Sequence, residues 1–96
     1  MHARVTRITN DPADLTDELL AFRRAVIGQA KASPGYRGCI DLIDRETGRA
    51  IAITLWATED DLRGSERARK GPAGGGPGSP SIEHYEVVFR DLPDQA

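Results

Sequence analysis

The segment from Arg49 to Ala57, Arg-Ala-Ile-Ala-Ile-Thr-Leu-Trp-Ala, is apolar at nearly every position, so it offers a hydrophobic row to each side however its side chains alternate. A strand of that kind needs cover on both faces. A chain of 96 residues builds one modest core, burying roughly 65% of its unfolded surface, and two independent domains do not fit. The same apolar run is interrupted by Thr54 and falls far short of the ~20 residues of a membrane-crossing helix. No membrane association is expected. The polar start Met-His-Ala-Arg-Val-Thr-Arg has no apolar signal region, which predicts a cytoplasmic protein. Thirteen Lys and Arg against fifteen Asp and Glu, a net charge of -2, argue against nucleic-acid binding through bulk charge. Cys39 stands alone, so neither a disulfide nor a cysteine-based zinc site is available.

Around that strand the other elements can be placed. Residues 3 to 9 carry loosely alternating β-branched residues and read as a first strand, ending at Asn10-Asp11-Pro12. A helix follows, capped either by Asp11 with Pro12 at its first position or by Thr16 with Asp17 and Glu18 behind it. Its apolar stripe is Leu15, Leu19, Phe22, Val26 and Ala30, widened by Leu20 and Ile27, with Arg23, Arg24 and Lys31 facing away. Ser33-Pro34-Gly35 ends it. Residues 36 to 44 and 49 to 57 form a β-hairpin around Arg45-Glu-Thr-Gly48. Two registers are open, a four-residue loop entered from Asp44 or a three-residue loop beginning at Glu46, and they exchange which residues share a face with Trp56. Thr58 caps a second helix, Glu59 to Lys70, with Asp61 at its third position. Residues 71 to 80, rich in Gly and Pro, form a linker, and Ser81 to Arg90 is a final strand.

The order is βαββαβ. Right-handed crossovers turn that order into an α+β, ferredoxin-like fold, a four-stranded antiparallel sheet with both helices on one face. Residues 1 to 92 make one domain and 93 to 96 a frayed tail. Two helices cover one face only, yet the second, third and fourth strands are apolar on both. A second copy whose sheet packs on the bare face supplies the missing cover, so a homodimer is expected.

Three stretches resemble the antibiotic biosynthesis monooxygenase family of dimeric α+β barrels: Pro34-Gly-Tyr-Arg-Gly38 leading into a strand, Ile53-Thr-Leu-Trp-Ala-Thr-Glu-Asp-Asp-Leu62, and Ile82-Glu-His-Tyr-Glu-Val-Val88. The resemblance covers nearly the whole chain and rests chiefly on structural turns. It implies a cofactor-independent monooxygenase acting on phenolic or quinol-type substrates, with a small apolar or aromatic molecule bound between sheet and helices. The alternative is a non-catalytic dimeric ligand-binding or interaction module. Similar proteins degrade haem with an Asn on the first strand, a Trp at the end of the third and a His on the second helix. Trp56 stands at the Trp position, but the second helix has no histidine and Asn10 lies past the first strand, which disfavours that reaction. No cofactor and no metal ligand set is indicated.

Candidate site residues are few. Trp56 either covers a bound aromatic, with its N–H holding an oxygen, or plugs the core. His84 either draws a proton from a phenol or is a half-exposed strand residue in the dimer contact. Tyr36 either shapes the ligand pocket or, like Tyr85, is a core aromatic with its hydroxyl at the surface. Cys39 reads as a small buried apolar residue, and His2 as disordered or solvent-facing. Arg63, Arg67, Arg69 and Lys70 suit a helix C-terminus.

Overall fold

The computed structural model describes residues 1–68 and 80–93. Four strands, β1 (His2–Thr9), β2 (Tyr36–Ile43), β3 (Arg49–Trp56) and β4 (Ser81–Glu86), and two helices, α1 (Asp17–Gly28) and α2 (Glu59–Ala68), follow the βαββαβ order. The sheet is antiparallel throughout, in the order β2-β3-β1-β4, which is the ferredoxin-like arrangement. The linker at 71 to 80, apart from Pro80, and the tail from 94 lie outside the described residues, as do Arg69 and Lys70.

Both caps proposed for the first helix are used, in series. Asp11 accepts from the Ala13 amide and opens a short 3-10 turn at Pro12–Asp14, and Thr16 then accepts from the Leu19 amide and opens α1. α1 gives way at Gly28 to a further 3-10 turn, Gln29–Ala32. The hairpin takes the four-residue loop. The Asp44 amide donates to the Arg49 carbonyl, the Gly48 amide donates to the Asp44 carbonyl, and Gly48 sits at φ +81° against the Asn10 backbone, where a side chain has no room. This register places Tyr36, Cys39, Asp41 and Ile43 on the same face as Trp56. A bulge at Arg37 lets Tyr36 and Gly38 oppose the consecutive residues Trp56 and Leu55.

The helices lie on that face. Arg23 of α1 reaches Asp41, and Ser65 and Glu66 of α2 reach Arg4, which shares a transverse row with Thr54 and His84. The core is small: Ala3, Val5, Ala50, Leu55, Trp56 and Leu62 are buried, and only Trp56 and Leu62 are large and fully enclosed. Burial of Leu62 alone contributes about 2 kcal/mol by transfer. The opposite face of the sheet keeps apolar residues in contact with solvent, with Ile40 36%, Leu42 47% and Tyr85 48% exposed.

Four expectations need correction. Arg23 turns toward the sheet and Phe22 and Val26 turn out, because Asp41 on β2 offers the guanidinium two oxygens where the apolar stripe finds no apolar partner. Cys39 is exposed, since β2 is the edge of the sheet. His2 is an ordered strand residue facing α2, its side chain 25% exposed. β4 ends at Glu86 and not at Arg90: its ladder with β1 closes at the pair of Glu86 with His2, after which the Val87 amide donates to the Met1 carbonyl.

Candidate functional site

The chain reverses from α1 into β2 at Gly35, whose φ of +80° and crowded surroundings fit no other residue. The Asp61 side chain of α2 fills the space a Cβ would take. The Gly35 carbonyl also accepts from the Ala57 amide at 2.8 Å, tying the start of β2 to the end of β3. Thr58 caps α2 through the Asp61 amide at 3.0 Å, so the helix begins directly beside Trp56. These local constraints fix one helix over one end of the sheet.

Beneath it, Trp56 is fully buried and packs edge-to-face on Tyr36, with ring centroids 5.8 Å apart at 83°. The guanidinium carbon of Arg4 lies 5.4 Å from the centre of the Trp56 ring, in cation–π range. The Trp56 N–H donates to Thr54 Oγ1 at 3.0 Å and is thereby satisfied within the protein. Burial chiefly, and a hydrogen bond with Cys39 next, push the Tyr36 hydroxyl up to about 12. Tyr36 therefore stays protonated at neutral pH and acts as a hydrogen-bonding phenol.

Arg4 connects this aromatic pair to a set of polar groups. Its Nη1 donates to Ser65 Oγ at 2.8 Å and lies 3.7 Å from Glu66 Oε2, while the Ser65 hydroxyl donates to the Leu62 carbonyl at 2.6 Å. The same Glu66 oxygen is 2.8 Å from His84 Nε2. His84 stands directly across β1 from Arg4. One carboxylate thus lies between a buried guanidinium and a half-exposed imidazole. Two turns earlier on α2, Glu59 approaches His2 Nε2 at 3.6 Å and bonds Arg63 at 2.9 Å; Arg63 above all, then His2 and His84, hold the Glu59 carboxyl below its ordinary range. His2 Nδ1 is buried without a partner among the described residues.

The three residues singled out in the sequence are not all together. Tyr36 and Trp56 touch, and His84 joins them through Arg4 and Glu66. Those two, with Ser65 and Thr54, were missed. A signal existed, since Glu59, Leu62 and Glu66 share the i, i+3, i+7 spacing of one helix face, with two histidines available to meet the two carboxylates. Trp56 lines neither of two cavities found among the described residues. One of about 640 Å3 runs along the opposite sheet face at the hairpin end, and one of about 180 Å3 lies between Pro34 and Gly64.

The residue set for haem degradation is not assembled. Asn10 is tied to the hairpin turn through its amide and its side chain, both donating to the Gly48 carbonyl, at the end of the sheet away from Trp56. α2 offers Glu59 and Glu66 where a histidine would be needed. No cluster of three metal-ligating side chains occurs, and no helix is long and apolar enough to cross a membrane, among the described residues.

No family model matches this chain, and no curated protein matches it. Solved structures do. The haem-degrader MhuD of Mycobacterium tuberculosis, with two haems bound in its active site, is 19% identical over 96% of this chain and 100% of its own, with a TM-score of 0.64. A mutant form of SnoaB, a cofactor-independent oxygenase of Streptomyces nogalater, is 20% identical over 97% of each chain, with a TM-score of 0.62. A monooxygenase from the gene ActVA-Orf6 of Streptomyces coelicolor, in complex with nanaomycin D, is 18% identical over 97% of this chain and 91% of its own, with a TM-score of 0.56. These likenesses span the whole domain at low identity, and what they establish is the fold: this chain has the ferredoxin-like α+β fold of the antibiotic biosynthesis monooxygenase-like proteins.

Proposed function

We propose that the chain is a homodimeric, cofactor-independent monooxygenase that binds a small, largely apolar phenolic or quinol-type molecule between the sheet and its helices. The observation that carries this reading is the contact of His84 Nε2 with Glu66 Oε2 at 2.8 Å. A carboxylate on Nε2 orients the ring and leaves Nδ1 as the basic nitrogen, the arrangement a general base needs to draw a phenolic proton near neutral pH. Arg4, 3.7 Å from that carboxylate, supplies positive charge to a developing phenolate. Tyr36, packed edge-to-face on the fully buried Trp56, supplies apolar surface to such a ligand.

The chemistry balances without a further reductant. A CH2 flanked by two aromatic rings, once its tautomeric phenolate is formed, loses both hydrogens and is oxidised by four electrons to a carbonyl, which matches the four-electron reduction of dioxygen. One oxygen atom becomes the new carbonyl and the other leaves as water. The protein binds, orients and holds the proton at His84.

Oxygen uptake with anthrone- and quinol-type compounds tests the proposal. The expected result is turnover that falls about 100-fold or more in His84→Ala with an unchanged circular dichroism spectrum. Turnover indifferent to that substitution removes His84 as base. Complete inactivity, together with a ligand-induced change in Trp56 fluorescence, would instead establish the non-catalytic binding module. The dimer is tested by light scattering at micromolar concentration, where a mass of one chain refutes it.

A further inference from the structure

The reaction proposed above uses His84 and leaves the other histidine of the same sheet face idle. In the antiparallel ladders His2 stands opposite Trp56 on one side and Glu86 on the other, and Arg4 stands opposite Thr54 and His84. Directly opposed residues share a face, as do residues two apart in one strand. His2, Arg4, His84 and Glu86 are therefore the corners of one patch beside Trp56, with the two imidazoles on a diagonal. Diagonal neighbours across an antiparallel pair lie about 7–8 Å apart at their backbones and somewhat closer at their side chains.

α2 meets that patch with the same pairing twice. Glu59 and Glu66, seven residues apart, share the helix face of the enclosed Leu62. Glu66 Oε2 is 2.8 Å from His84 Nε2, and Glu59 Oε2 is 3.6 Å from His2 Nε2. Each imidazole thus turns Nε2 to a carboxylate of α2 and keeps Nδ1 for another contact. At His2 the chain does not supply that contact: Nδ1 is buried without a hydrogen-bond partner among the described residues. A buried nitrogen left in that condition demands an explanation, and its place beside Trp56, on the face assigned to the ligand, suits a ligand atom.

The neighbouring charge decides which hydrogen bond Nδ1 makes. Arg63 above all, then His2 and His84, hold the Glu59 carboxyl below its ordinary range, so it is ionised at neutral pH. A carboxylate favours the proton on the ring nitrogen that faces it, here Nε2, and a neutral imidazole protonated there has an acceptor at Nδ1. We infer that His2 is a recognition residue of the proposed site: its Nδ1 accepts from a second hydroxyl of the ligand, so the site selects a quinol over a phenol that lacks that second O–H. The inference rests on the ligand site proposed above and narrows what it takes. His84 draws the proton from one hydroxyl, and His2 holds the other. Hydroxyls at opposite positions of one aromatic ring are separated by a distance of the same order as the gap between the two imidazoles.

Equilibrium binding under argon, read by the fluorescence of Trp56, the single tryptophan, tests this without turnover. The probes are 1,4-dihydroxynaphthalene and 1-naphthol, which share the ring system and the first hydroxyl and differ in the second. Wild type is expected to bind the dihydroxy compound about 10-fold or more tightly than 1-naphthol. His2→Phe abolishes that preference, with little change for 1-naphthol and an unchanged circular dichroism spectrum. Two further variants separate recognition from packing. The amide of His2→Asn stands where Nδ1 stands and restores the preference in part, whereas that of His2→Gln stands where Nε2 stands and does not. Equal affinity of wild type for the two probes, a preference that survives in His2→Phe, or one lost alike in His2→Asn and His2→Gln overturns the inference. Failure of wild type to bind either probe overturns the ligand site itself. A preference that depends on His2 while oxygen uptake ignores His84→Ala overturns the assignment of the base and upholds the role of His2.

Discussion

The two helices of this fold differ in the opposite sense to their compositions. α1 contains seven apolar residues in twelve, yet none of its residues is buried, and Phe22 and Val26 face solvent. α2 is mostly charged, with Leu62 and Ala68 its only apolar side chains, yet Leu62 is fully enclosed and Ser65 is 9% exposed. The sheet beneath explains the reversal. Under α2 it presents the buried Trp56 and the polar arm of Arg4, which Ser65 and Glu66 meet. Under α1 it presents Asp41, which Arg23 takes, and the apolar residues of that helix are left with little to bury against. How deeply a helix docks is set by what the facing strand carries, and apolar count alone predicts the wrong helix here.

The comparison breaks most visibly if the helices are truncated side by side. Leu62→Ala removes a fully enclosed side chain and is expected to cost about 2–4 kcal/mol in urea unfolding. Phe22→Ala, from a larger residue in the more apolar helix, is expected to stay within about 0.5 kcal/mol. Equal losses at the two positions would show that α1 is docked as firmly as α2.

Gly35→Ala comes next in size. Its φ of +80° and the Asp61 side chain lying where the Cβ would go mean that the first turn of α2 must move, and a loss of about 1–3 kcal/mol follows. In a domain of this size that lowers the thermal midpoint by several degrees, about 4–8 °C for each kcal/mol. A midpoint unchanged in Gly35→Ala would mean that the approach of α2 to this turn is not tight.

On the other helix, Asp41→Asn sharpens the contrast. It leaves Arg23, whose side chain is only 16% exposed, without its bidentate partner at 2.6 and 3.1 Å. A loss of about 1–2 kcal/mol is expected, accompanied by faster hydrogen exchange in α1 and unchanged exchange in α2. Faster exchange in both helices would show that they dock as one unit.

The fold was legible in the sequence because its signals are local. Asp11, Thr16, Thr58 and Gly48 each act within a few residues of themselves, and all four sit where turn and cap chemistry puts them. The hairpin register was open because Asp44 and Glu46 both make acceptable loops, and the choice falls to Asp44 only when its side chain accepts from the Glu46 and Thr47 amides. Half of the candidate site was hidden for a different reason. Trp56, Tyr36 and His84 attract notice by residue type, whereas Arg4 and Glu66 are common residues whose importance arises from a contact between elements far apart in the sequence. The inward turn of Arg23 belongs to the same class, since it depends on Asp41 of another element.

The smallest expected effect concerns pH and the aromatic end of the site. The Tyr36 hydroxyl ionises near pH 10 in an unfolded chain and is held up to about 12 in the folded one, mainly by burial and then by Cys39. Raised in this way, it contributes a constant stabilisation below pH 10, where both states are protonated. Between about 10 and 12 the unfolded chain releases its proton first, so stability falls with rising pH and the contribution is gone above the folded value. Tyr36→Phe keeps the ring against Trp56 and deletes the titration. The stability of the wild type relative to Tyr36→Phe should therefore be the same at about pH 8 and 9 and decline between about pH 10 and 11.5. Tyr85→Phe provides the control on the exposed face, where Glu83 holds that hydroxyl up through a hydrogen bond. Identical pH slopes for wild type and Tyr36→Phe would place Tyr36 in contact with water, and the aromatic end of the helix-covered face would then be as open as the face that carries Tyr85.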